Sequence, residues 1–72
     1  MCGIIGIASN KPVSMNIINS LKKLEYRGYD SAGLATLDKD EISEKKCSGR
    51  VEELEKILFK TPSDGHLGIG HV

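Results

Sequence analysis

The chain has 72 residues, and its ten Lys and Arg balance ten Asp and Glu to a formal net charge of zero. That length allows one small domain or a piece of a larger one, and a chain of this size buries only about 60% of its unfolded surface. The balanced charge provides no field to recruit nucleic acid or an acidic membrane surface, and two cysteines do not make a secreted disulfide scaffold.

No apolar stretch approaches the roughly 18 residues of a membrane span, and Met1 to Ala8 lacks the basic start and cleavage site of a leader. The expectation is a cytoplasmic protein that engages neither nucleic acid nor membrane.

Along the chain, Gly3 to Ala8 is an apolar run without polar alternation, which predicts a strand buried on both faces. Ser9 to Pro12 reads as a turn. Ile17, Ile18, Leu21 and Leu24 share one face of a helical wheel opposite Asn16, Asn19 and Lys23, predicting an amphipathic helix over about 14–26 with Ser14 as its N-cap. Gly28 stands where that helix should stop.

The segment Tyr26 to Gly33, YRGYDSAG, is polar and punctuated by glycine, so an ordered loop is expected there. Leu34 to Leu37 then predicts a strand, Asp38 to Asp40 a hairpin turn, and Glu41 to Cys47 a half-exposed returning strand. Val51, Leu54, Ile57 and Leu58 mark a second helix between Gly49 and Thr61, with Glu52 and Lys56 spaced as a favourable i,i+4 pair. Ser63 to Gly65 turns the chain into a final strand from Leu67. The order is β-α-β-β-α-β, an α+β pattern whose last apolar strand reads as part of an interrupted domain.

Cys2 is the residue that points to chemistry. Removal of Met1, which a small second residue permits, would leave a thiol and a free α-amine on one residue, an activated nucleophile in itself. An α-amine titrates near about 7.7 to 8.0 and so suits general acid and base work at neutral pH, whereas a Lys amine at about 10.4 does not. The donor angle within one residue is poor, so a bridging water is expected to carry the proton. The plain alternative is a small hydrophobe at the start of a strand.

Arg27, after the first helix, reads either as a cation beside Cys2 that favours the thiolate or holds a carboxylate, or as a surface charge at the helix end. Tyr26, Tyr29 and Asp30 could order the loop through hydrogen bonds or merely cap it, and Gly28 and Gly33 serve backbone geometry more than ligand contact. His66 and His71 lack a third ligand at suitable spacing, so no metal is expected, and no cofactor is implied. Gly68 and Gly70 make half of a dinucleotide fingerprint with no helix after them. Cys47, in a polar hairpin strand, reads as a packing residue or an incidental thiol.

Taken together, MCGIIGI at the start, LKKLEYRGYDSAGLA in the middle and GHLGIGHV at the end resemble the class II glutamine amidotransferases, which are N-terminal nucleophile hydrolases. Within that family Tyr26 and Tyr29 are the sharper signal, because the phosphoribosyl branch carries His and Gln there. The branch that delivers ammonia to fructose 6-phosphate is the better match. The resemblance implies a four-layer αββα glutaminase domain of which residues 1–72 are an incomplete, N-terminal part, with the sugar-phosphate isomerase domains absent.

It also implies Cys2 as nucleophile, Arg27 as a residue that helps to order it, and Gly3, Gly28, Gly33 and His71 as positions that shape the site. Val72 departs from the family's usual Thr. Glutamine and fructose 6-phosphate are the implied substrates, a homo-oligomer the implied state of the full-length enzyme, and inactivity the expectation for these residues alone. The alternatives are another class II amidotransferase, such as an amidophosphoribosyltransferase, or a non-enzymatic interaction module.

Overall fold

The computed structural model describes residues 2–72. In chain order it contains β1 (Ile4–Ala8), α1 (Ser14–Leu24), a 3₁₀ turn (Glu25–Arg27), β2 (Ser31–Asp38), β3 (Glu41–Ser48), α2 (Val51–Lys60) and β4 (Leu67–His71). The predicted order of elements is the observed one. The strands form one antiparallel sheet in the order β1-β4-β2-β3, so β4 is central and joins β1 to the β2–β3 hairpin.

Both helices lie on one face of the sheet, because only that placement buries their apolar stripes. The core is Val13, Ile17, Ile18 and Leu21 from the first helical segment, Val51, Leu54 and Leu58 from α2, and Ala32 and Leu34 from β2. Ile5, Ile7 and Cys47 pack at its margin. Gly68 and Gly70, weighed above as a fragment of a nucleotide motif, have another function. They lie under α1, and a Cβ on Gly68 would stand 2.8 Å from Ile17 Cδ1. The missing side chains let the helix approach the middle of the sheet.

The expectation of a first strand buried on both faces is corrected. In β1 the residues alternate between half-buried and exposed, and Ile4 is 79% exposed, because only one face carries helices. Alternation extends this across the sheet. Ala32, Leu34 and Thr36 face the helices, whereas the register lines up Ile4 with His71, His71 with Gly33 and Gly33 with Lys46 on the other face. Ile69 (60% exposed), Leu67 and Leu37 continue that face, and Ile42 (75%) ends it, so an apolar sheet surface stands open. Its hollow of about 300 Å³ is lined in part by Ile4, Ile69 and His71.

Local details differ from expectation for physical reasons. Ser14 is not the N-cap. Val13 holds that position without a side-chain cap, and Ser14 is the first helical residue, its Oγ donating to the Ser63 carbonyl. The helix gives way to the 3₁₀ turn at Glu25, and Gly28 ends it at φ 116°, a conformation that side chains resist.

Ser31 to Gly33, expected as loop, belong to β2, because they pair with β3 and Gly33 also pairs with β4. The hairpin turns at Lys39 and Asp40, both at positive φ, as a two-residue turn between right-twisted strands requires. Lys56 meets Glu53 at 3.0 Å (i,i+3), not Glu52.

Candidate functional site

Cys2 is exposed and free, just ahead of β1. Gly3 continues the β1–β4 pairing beyond the strand ends: its N–H donates to the Val72 carbonyl (3.2 Å), and the Val72 N–H donates back (3.0 Å). Gly3 is turned toward the helices, since a Cβ there would stand 2.9 Å from Leu24 Cδ1. By strand alternation, Cys2 and Ile4 share the opposite, open face. The expected nucleophile is therefore at a corner of the uncovered sheet surface. The α-amine that loss of Met1 would release is the Cys2 nitrogen; Met1 itself lies outside the described residues.

His71 occupies the same corner. It pairs with Ile4 on one side and Gly33 on the other. A Cβ on Gly33 would stand 2.7 Å from His71 Nε2 and 3.1 Å from Lys46 Cγ, so the bare glycine makes room for the ring and the lysine stem. Lys46 in turn lies 3.7 Å from Glu44 on the exposed surface. Thus Cys2, Gly33 and His71, singled out from sequence, belong to one face, together with Lys46, which sequence reasoning missed. The two-residue turn at Lys39 and Asp40 sets the register that puts it directly opposite Gly33, whereas a turn over Asp38 to Asp40 would have put Lys45 there.

Arg27 is brought only part of the way. It ends the 3₁₀ turn that follows Leu24, the residue against which Gly3 packs. A 3₁₀ rise of about 2 Å per residue sets its backbone about 6 Å beyond that contact. Among the described residues no hydrogen bond or ion pair joins Arg27 to Cys2, and its side chain is exposed.

The turn itself is well held. The Val51 N–H donates to Glu25 Oε2 (2.8 Å), the Gly49 N–H donates to the Asp30 carbonyl (2.8 Å), and the Arg50 guanidinium lies over the Tyr29 ring at 4.6 Å. The expected ordering of this loop is thus met by a backbone carbonyl, a ring face and Glu25. Tyr26 is exposed.

Away from this corner, Cys47 is half-buried, with its Sγ 3.8 Å from the Arg50 carbonyl. Burial pushes its thiol above the ordinary range; a backbone contact with Ala32 opposes this, and the Glu53 carboxylate adds to it. Its packing role fits the sequence reading. His66 is exposed, and its carbonyl accepts the Ser9 N–H. No set of three or more His, Cys, Asp or Glu side chains converges among the described residues, and no helix is long and apolar enough to cross a membrane.

What fold and site define is a small α+β unit with an exposed cysteine at its second position, set at the edge of an open sheet face. No family model matches the chain. Curated proteins do: it is 51% identical over 71 residues to a glutamine–fructose-6-phosphate aminotransferase (isomerizing) of Bradyrhizobium diazoefficiens, 48% to that of Mesorhizobium japonicum and 49% to that of Brucella abortus. Each alignment covers 99% of this chain and 12% of the relative. The resemblance read from the motifs is borne out, and the chain is homologous to a segment of these aminotransferases, spanning about an eighth of their length.

Proposed function

We propose that these residues form the nucleophile-bearing part of a glutaminase domain whose ammonia is transferred to fructose 6-phosphate. The observation that carries the reading is the exposed Cys2 at the corner of the open sheet face, in a chain 48–51% identical to named aminotransferases. The Cys2 sulfur attacks the side-chain amide carbon of glutamine, the carbon–nitrogen bond breaks, and ammonia leaves with a proton relayed through the α-amine. Water then opens the thioester, giving glutamate and restoring the thiol.

In this reading Arg27 helps to order the nucleophile, and Gly3, Gly28, Gly33 and His71 shape the surface around it. The uncovered apolar face supports a second sheet packed upon it, which is the four-layer αββα arrangement, since a face of this kind is otherwise wet. The remaining layers, the sugar-phosphate isomerase domains, the cytoplasmic setting and a homo-oligomeric enzyme belong to the same proposal.

The test has two arms. The 72-residue chain alone is expected to hydrolyse no glutamine above a Cys2→Ala control, because the resemblance to the class II amidotransferases implies oxyanion donors that are not among these residues, and loss of even one typically costs about 10² to 10³ in rate. Grafted in place of the aligned segment of the Bradyrhizobium relative, the same residues should support glutamine hydrolysis and sugar amination. Cys2→Ala in that chimera should abolish both. Activity that survives Cys2→Ala, or an intact mass showing that the active chimera retains Met1, overturns the mechanism.

A further inference from the structure

The segment carrying Arg27 and the start of α2 are locked together by groups far apart in sequence. α2 has no side-chain cap of its own: Arg50 holds the N-cap position and makes no such bond. Its first N–H is taken instead by Glu25, 26 positions earlier, in a part-buried contact of 2.8 Å. A carboxylate is well suited to this, because it meets both an unpaired N–H and the positive end of the helix dipole. Glu25 is also the first residue of the 3₁₀ turn that Arg27 completes. The Asp30 carbonyl and Tyr29 ring fasten the other end of the same segment to Gly49 and Arg50.

We propose that Glu25 is a positioning residue: by anchoring its carboxylate on the N-terminus of α2, it fixes the turn that carries Arg27 just beyond Leu24, the residue packed against Gly3. This rests on the reading of Arg27 and Cys2 given above. Glu25 touches neither substrate nor nucleophile in this scheme. It acts through the turn, and α2 serves as the fixed point to which the backbone carrying the exposed Arg27 is tied. A carboxamide in place of the carboxylate keeps an acceptor oxygen for the Val51 N–H, whereas a methyl group keeps none.

The test uses the 72-residue chain with Glu25→Ala, Glu25→Gln and Arg27→Ala, and two readouts. Amide hydrogen exchange at Val51 reports the anchor, and the rate of Cys2 alkylation by iodoacetamide at pH 7 reports what Arg27 does. Glu25→Ala is expected to speed Val51 exchange about tenfold and to slow Cys2 alkylation about threefold, in the direction of Arg27→Ala. Glu25→Gln should restore most of both. Arg27→Ala should slow alkylation while leaving Val51 protected.

An unprotected Val51 in the parent chain, or Glu25→Ala leaving alkylation unchanged where Arg27→Ala slows it, overturns the positioning role. Alkylation unmoved by Arg27→Ala, with Val51 exchange still dependent on Glu25, overturns instead the reading of Arg27 and with it the functional half of the proposal.

Discussion

Cys2 and Cys47 show how the same atom type acquires different character from place alone. One thiol is exposed ahead of a strand; the other is half-buried beside the N-terminus of α2. Because burial raises the Cys47 thiol in the folded state, the fold holds that proton more tightly than the unfolded chain does. Its stabilising contribution is therefore complete below the ordinary Cys range near about 8.5 and is lost as pH rises through the higher folded value. Thermal melts from neutral to alkaline pH should show the parent chain losing stability above about pH 8.5 more steeply than Cys47→Ala. Equal slopes would remove the thiol from the account.

Sequence position alone picked out Cys2. By contrast, the room that Gly33 leaves for His71 became visible only once two strands were paired in register, because no local pattern encodes a neighbour 38 residues away.

At the scale of elements, both helices were legible because their apolar residues repeat with the helical period, and Val51, Leu54 and Leu58 are buried as that period requires. What local reading missed was decided by pairing between distant segments. Ser31 to Gly33 read as loop by composition, yet backbone bonds to neighbouring strands outweigh the weak strand preference of Ser and Gly. The cap on α2 comes from another element altogether.

The contact of α1 with β4 gives a sharper expectation. Gly70 lies beneath Ile17 and Leu21, so Gly70→Ala must displace a fully buried isoleucine or lift the helix. Overpacking of this kind costs about 1 to 3 kcal/mol, to be read from urea denaturation. An unchanged midpoint would mean that α1 does not rest on this strand as closely as described.

For the whole molecule, the two faces of the sheet differ most. Among the described residues, one is sealed by nine buried apolar side chains; the other exposes Ile4, Leu67, Ile69, Leu37 and Ile42. This asymmetry was not legible in the sequence. An unbroken apolar run such as Ile4 to Ala8 predicts burial on both sides, and nothing local says that one side lacks a cover within these residues. An open apolar surface favours association in water. Sedimentation of the isolated chain should show a mean mass that rises with concentration, and Ile69→Lys should suppress the rise without altering the far-ultraviolet circular dichroism. A chain monomeric at all concentrations would show the face to be less adhesive than its composition suggests.

The central position of β4 has a kinetic consequence. Among the described residues β1 has no sheet neighbour except β4, and Ile4 meets His71 across 67 positions of chain. The β2–β3 hairpin can close early, since its turn is two residues long. The partner of β1 among the described residues exists only once the segment through residue 71 has been synthesised, and closing so long a loop adds an entropic cost. On a ribosome, the first part of the chain to emerge is thus among the last to be seated, and its reactive sulfur takes its place only after the rest of the sheet exists to receive it.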